Sequence, residues 1–129
     1  MNEVPSSIKL HRQTQVLELV YKNGSKVSLA AEYLRVFSPS AELRGHAGDK
    51  HKFPAGKARV AITHVEPQGN YGIKLHFSDS HRTGIFTWQY LMQLGNKHEH
   101  NWQRYLSELK AENKTREPGT EAVKLIDPK

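Results

Sequence analysis

The chain has no cysteine among its 129 residues. That excludes disulfides, thiolate metal sites, iron–sulfur ligation through its own sulfurs and cysteine nucleophiles together. It also has no apolar run near the ~20 residues that a membrane span requires. The first residues, Met-Asn-Glu-Val-Pro-Ser-Ser, show neither the basic start nor the apolar core of a signal peptide. The expectation is a soluble cytoplasmic protein without a membrane partner. No internal repeat is evident, and a chain of this length reads as one domain that buries enough core to fold without a metal or disulfide staple.

What the chain does have is an excess of positive charge, +6 at pH 7. Its distribution decides what that excess means. Residues 61–109 cancel, with Lys74, Arg82, Lys97 and Arg104 against Glu66, Asp79, Glu99 and Glu108. Residues 38–60 carry Arg44, Lys50, Lys52, Lys57 and Arg59 against only Glu42 and Asp49. A basic loop of this kind attracts phosphates or acidic partners. Nucleic-acid binding through the 44–59 loop is therefore one reading to carry, though no RNA-recognition signature accompanies it.

The periodicity predicts an α+β fold. Residues 15–22 alternate, with Leu17, Leu19 and Tyr21 on one face; Asn23-Gly24 then signals a hairpin, and Lys26 to Leu29 returns. Ser28 is placed to cap a short helix through Ala30 to Arg35, which must end before Pro39. From Ser38 to Ala58 periodicity gives way to a long loop. Val60 to Glu66, Gly72 to Phe77 and His81 to Phe86 then read as an antiparallel meander, with Ile73, Leu75 and Phe77 inward and Lys74 and His76 outward. Thr87 caps a first C-terminal helix that Gly95 closes as a left-handed cap. A second helix from about residue 98 carries Trp102, Tyr105, Leu106 and Leu109 as a core stripe. Residues 1–9 read as a flexible N-terminus, 10–109 as the domain and 110–129 as a disordered polar tail.

Three segments carry a family resemblance. They are Glu32-Tyr33-Leu34-Arg35-Val36-Phe37-Ser38-Pro39-Ser40-Ala41-Glu42-Leu43-Arg44-Gly45-His46, the unbroken strand–turn–strand–helix block from Gly69 to Leu91, and Leu94-Gly95 with Asn101 to Leu106. Together they resemble the gamma-butyrobetaine hydroxylase-like N-terminal domain, long catalogued as a domain of unknown function. That domain occurs alone in many bacteria, at the front of the hydroxylase, and attached to some iron–sulfur carrier ATPases of the P-loop class. In the hydroxylase it holds a structural zinc through three cysteines and a histidine. Those cysteine positions fall on Ser38, Ser40 and Leu43 here and the histidine on His81. Serine is a very poor zinc ligand and leucine is none, so the resemblance implies no zinc site of that form. It equally implies no oxygenase chemistry, which belongs to a separate C-terminal domain.

Several constellations remain to be weighed. His81 has a bland reading, hydrogen-bonded to Asp79 or the turn backbone, and a sharper one that recruits His46, His51 and Asp49 as substitute ligands for zinc or iron. Arg44-Gly45-His46 combines close backbone approach with anion-binding donors, set against Arg44 simply pairing with Glu32 or Glu42. His64-Val65-Glu66 has the form of half a facial iron triad, but 129 residues with two terminal helices hold no oxygenase barrel. His98 and His100 point about 200° apart on a helix and cannot chelate together. Ser78-Asp79-Ser80-His81 crowds every triad residue type into one turn, whereas a triad is assembled from separate elements. Trp88, Tyr90, Trp102 and Tyr105 sit at core spacings rather than on a base-stacking platform.

The reading that results is a non-catalytic binding or adaptor module with a protein partner. Iron–sulfur or metal-cofactor assembly is the context implied by the resemblance. Arg44, Gly45 and His46 are the binding candidates, and His81, His46 and His51 the metal candidates for zinc or iron.

Overall fold

Strand alternation builds two three-stranded sheets: the expected hairpin gains a strand before it, and the expected meander forms the second sheet. The structure is a computed structural model that describes residues 4–39 and 53–118. Strands β1 (Ser7–His11), β2 (Val16–Val20) and β3 (Lys26–Ala30) form the first antiparallel sheet, in that order. Helix α1 (Ala31–Val36) follows without a connecting loop. Strands β4 (Ile62–Gln68), β5 (Gly72–Phe77) and β6 (Phe86–Thr87) form the second antiparallel sheet. Helices α2 (Trp88–Asn96) and α3 (His98–Ala111) complete the chain of elements. The α+β architecture expected from the periodicity is present.

The inward faces are those the alternation predicts. Leu17, Leu19 and Tyr21 from the first sheet meet Ile73, Leu75 and Phe77 from the second in one core with Leu34, Phe86, Leu91 and Leu109. The two sheets are also tied directly, since Gln15 at the β1–β2 turn accepts the Ile62 N–H through its side chain at 2.7 Å and the Ala31 N–H through its carbonyl at 2.9 Å. An aromatic layer sits under α3: Tyr33 lies 5.1 Å from Phe37, Phe37 5.0 Å from Phe53, and Phe53 5.8 Å from Tyr105. Tyr33 donates to the Leu94 carbonyl at 2.7 Å and Tyr90 to the Phe37 carbonyl at 2.7 Å, so a buried and a half-buried phenol pin the two ends of α2.

Four local expectations are corrected. Strand β1 covers residues 7–11 and so crosses into the stretch read as a flexible N-terminus. Ser28 does not cap α1, because β3 runs on to Ala30 and the helix starts without a side-chain cap. The third strand of the meander shrinks to Phe86–Thr87 plus one bridge between His76 and Arg82. Gly95 is not a terminal cap but lies inside α2, where an added Cβ would come within 2.7 Å of Val27 Cγ1. Asn23-Gly24, by contrast, turns the hairpin as expected, with Gly24 at φ +90°. Thr87 caps α2 by accepting the Tyr90 N–H at 3.1 Å.

The segment after α3 is also built into the fold as far as residue 118. Thr115 and Arg116 accept from the Gly56 and Ala58 N–H groups at 2.9 and 2.8 Å. The Arg116 guanidinium then forks onto Glu32 through Nε at 2.8 Å and Nη2 at 2.7 Å, while Tyr105 donates to the same carboxylate at 2.6 Å. Glu32 is only 7% exposed. Among the described residues its partners are thus Arg116 and Tyr105; the Arg44 pairing considered from sequence lies outside them.

Candidate functional site

The turn after β5 organises the functional side of the molecule. Asp79 Oδ2 accepts from Arg35 Nε on α1 at 2.9 Å and from Lys57 Nζ at 2.7 Å, and Asp79 Oδ1 accepts the His81 N–H at 3.2 Å. Partial burial works against the charged carboxylate, but the Lys57 and Arg35 hydrogen bonds prevail and hold its pKa at about 2. This hub fixes the turn against the end of α1. It brings Ser38, just beyond α1, against His81, with Ser38 Oγ 3.1 Å from His81 Nε2. The Gly84 N–H bonds to the Pro39 carbonyl, so residues 38–39 run alongside 81–84.

Next to this turn, the outer face of the second sheet is concave and polar. A cleft of about 540 Å³ is lined by Glu66, Lys74, His76, Ser80, His81 and Arg82, with Thr83 also contributing. Pairing places Glu66 opposite Lys74 and His64 opposite His76, and the isolated bridge places Arg82 on the other side of His76. Directly opposed residues share a face. His76 Nε2 lies 2.9 Å from Glu66 Oε1, and that hydrogen bond holds the exposed Glu66 carboxyl below its ordinary range. The His64 and His76 rings meet edge-on at 5.2 Å. Lys74 and Arg82 enter no ion pair among the described residues. Ser80, at the rim, holds the left-handed backbone conformation at φ 71°.

The residues singled out from sequence divide into three groups. Arg44, Gly45, His46, Asp49 and His51 lie outside the described residues, as do Ser40 and Leu43. His81 makes the Asp79 contact that the bland reading expects, through its backbone, while its ring meets Ser38. His64 and Glu66 do share a face, but Glu66 engages His76 rather than His64. Within the Ser78-Asp79-Ser80-His81 run, the Asp79 carboxylate meets the His81 backbone and not its ring, which is not triad geometry. Two of the basic residues that enriched the 38–60 region are engaged, Lys57 with Asp79 and Arg59 with Glu117. Trp102 and Tyr105 pack 5.0 Å apart over the core, as their spacing predicts.

The zinc site that the hydroxylase domain holds does not fit these side chains. Ser38 and His81 occupy two of its four positions and do come together, but the contact is hydroxyl to imidazole, and a neutral hydroxyl is a poor zinc donor. Among the described residues no three histidine or acidic side chains gather to hold a metal ion. Also among the described residues, no helix is long and apolar enough to cross a membrane.

Sequence reasoning missed Arg82 and the cross-strand row it completes. The outward phase of Lys74 and His76 was legible, and correct pairing of His76 with Arg82 was the signal that would have added the third member.

Comparison with known proteins places this geometry in a family. The model for gamma-butyrobetaine hydroxylase-like, N-terminal, matches residues 8–92. Two proteins with NMR solution structures are 42% and 38% identical, with TM-scores of 0.79 and 0.73. The first match covers 92% of this chain and 93% of that protein, the second 90% and 86%. A crystal structure of a protein of unknown function of the DUF971 family, from Acidithiobacillus ferrooxidans ATCC 23270, is 36% identical with a TM-score of 0.56. That match covers 71% of this chain and 92% of the other. No curated protein matches the chain.

Proposed function

Since the chain belongs to the gamma-butyrobetaine hydroxylase-like N-terminal domain family, a family of unknown function, we propose that it is a non-catalytic binding module whose recognition surface is the cleft on the second sheet. The observation that carries this reading is the contrast between two sets of charges. Arg35, Lys57, Asp79, Glu32 and Arg116 are joined in ion pairs that lock the fold. Lys74 and Arg82 instead line a concave surface with no such engagement among the described residues. A strand residue and a residue bridged to that strand, both outside these pairs, suit recognition, and the turn that carries Asp79 has its carboxylate committed to structure.

A protein partner in iron–sulfur or metal-cofactor assembly is the context we would test first. The support for it is the occurrence of related domains fused to iron–sulfur carrier ATPases. The test compares the full chain with a Lys74→Glu/Arg82→Glu variant as bait in cytoplasm of the source cell. A cofactor-assembly protein retained by the parent and lost by the variant is the expected result. Identical sets of retained proteins would sink the assignment of the cleft.

A second reading has its own observation. Ser38 and His81 sit 3.1 Å apart, so the approach that brings two family metal positions together persists without the cysteines. In this reading His81 binds zinc or ferrous iron with His46 and His51. Histidine-resolved NMR during zinc and anaerobic iron titrations tests it, and unchanged resonances for the three histidines at stoichiometric metal would exclude it.

A further inference from the structure

We propose that the cleft on the outer face of β4 and β5 binds a phosphate group carried by a small molecule. The inference rests on the reading of this cleft as a recognition surface and names the chemistry it recognises.

Three separate chain segments aim donors at one concavity. Lys74 and His76 come from β5, Arg82 from the segment paired to it, and Ser80 from the intervening turn. The register puts His64, His76 and Arg82 in a row, with Lys74 one step along the same face. Lys74 and Arg82 enter no ion pair, and the Ser80 hydroxyl enters no hydrogen bond, among the described residues. Glu66 is the one acidic residue of the lining; His76 hydrogen-bonds it and Lys74 stands opposite it across the strands without a direct ion pair.

Donor geometry selects the ligand. A carboxylate is saturated by one bidentate guanidinium, whereas a phosphate has several oxygens that accept from several directions. The Arg82 guanidinium, the Lys74 ammonium and the Ser80 hydroxyl, brought to one concavity from three segments, match the second case. At about 540 Å³ the cleft is far larger than a bare ion needs and falls within the range of small-molecule sites.

Ser80 provides an independent argument. A non-glycine residue at φ 71° is strained, and glycine would hold the same turn at lower cost. What serine adds at that position is a hydroxyl on the cleft rim. A hydrogen-bond donor aimed at a bound oxyanion accounts for its presence.

The experiment is titration of the full chain with inorganic phosphate, and separately with succinate at equal ionic strength, followed by NMR of the backbone, the imidazoles and Arg82 Nε. The expected result is a saturable response to phosphate confined to residues 74–83, with succinate at least about tenfold weaker. Arg82 is exposed, so Arg82→Ala should fold normally and weaken phosphate binding by about tenfold, the worth of a charge-assisted bidentate contact. Ser80→Gly should match or exceed the parent in thermal stability while binding phosphate more weakly. A non-saturating response, equal binding of succinate, or indifference to Arg82→Ala each overturns the proposal. If phosphate fails while Lys74→Glu/Arg82→Glu still abolishes partner retention, the ligand class alone is wrong. If both fail, the cleft is not a recognition surface.

Discussion

Replacing Arg116 with alanine should destabilise the domain by about 2–3 kcal/mol, although this residue lies in a stretch whose composition reads as a disordered tail. The magnitude follows from what is left behind. Glu32, only 7% exposed, loses two of its three hydrogen bonds and retains the one from Tyr105. Breaking a buried ion pair on one side costs about 3–5 kcal/mol. The Arg116 side chain is 41% exposed, so water reaches the vacated carboxylate, and the lower figure of about 2 kcal/mol is appropriate. Loss of the guanidinium from the Trp102 ring, 5.3 Å away, adds about 0.5 kcal/mol. For a domain of this size that corresponds to a fall of roughly 8–12 °C in Tm. Urea unfolding followed by tryptophan fluorescence suits the question, because Arg116, in the segment after α3, lies over the Trp102 ring. Glu32→Gln in the Arg116→Ala background should recover part of the loss, since no unpaired charge then remains buried. A loss under about 0.5 kcal/mol for Arg116→Ala, or additive behaviour of the pair, would show that the segment after α3 does not lock onto Glu32.

Acid stability tests the Asp79 hub. A carboxyl held at about 2 rather than its ordinary 3.8 contributes about 1 kcal/mol once solvent screening of this partly exposed group is allowed for, present above pH ~4 and lost as pH falls through about 2. Asp79→Asn should therefore be less stable at pH 7 and converge with the parent as pH drops from 4 to 2; parallel stability curves would refute this. Gly72→Ala should cost more than about 3 kcal/mol, because its Cβ lands on the Phe86 carbonyl in the β5–β6 pairing, where backbone cannot yield. An unchanged urea midpoint would contradict that close approach. Gly95→Ala gains up to about 1 kcal/mol of helix propensity but presses on Val27, so it should destabilise alone and stabilise in a Val27→Ala background. A sign that does not change between the two backgrounds would rule out the contact.

What the sequence conveyed and what it concealed separate along one physical line. Leu17, Leu19, Ile73, Leu75 and Phe77 are read correctly because period-two burial is a local property of a strand with one inward face. Strand β1 escapes because its face is only partly buried, Ile8 and Leu10 sitting at the edge of the sheet, and the apolar signal weakens with the burial. Gly95 misleads for a different reason: a glycine that ends a helix and one that lets a strand approach look identical until Val27 is known to lie against it. The third strand breaks up because Gly84 turns its N–H away from β5 to the Pro39 carbonyl, a partner far outside any local window.

Apart from the outward phase of Lys74 and His76, the candidate site belongs to this second kind. Ser38 meets His81 across 43 positions, and Arg35 meets Asp79 across 44. Arg82 joins His76 only because the turn between them places the two in register. Each member was visible as a residue type, yet none announced its neighbours. The binding proposal consequently stands on pairing rather than on a motif. Shifting the pairing of residues 82–83 against β5 by one position would turn Arg82 away from His76 and Lys74. A glycine inserted after Ser80 is a direct way to attempt that shift. It should abolish any response of residues 74–83 to phosphate while leaving the first sheet's amide spectrum in place. Phosphate binding that survived the insertion would mean the row across the strands is not what recognises the ligand.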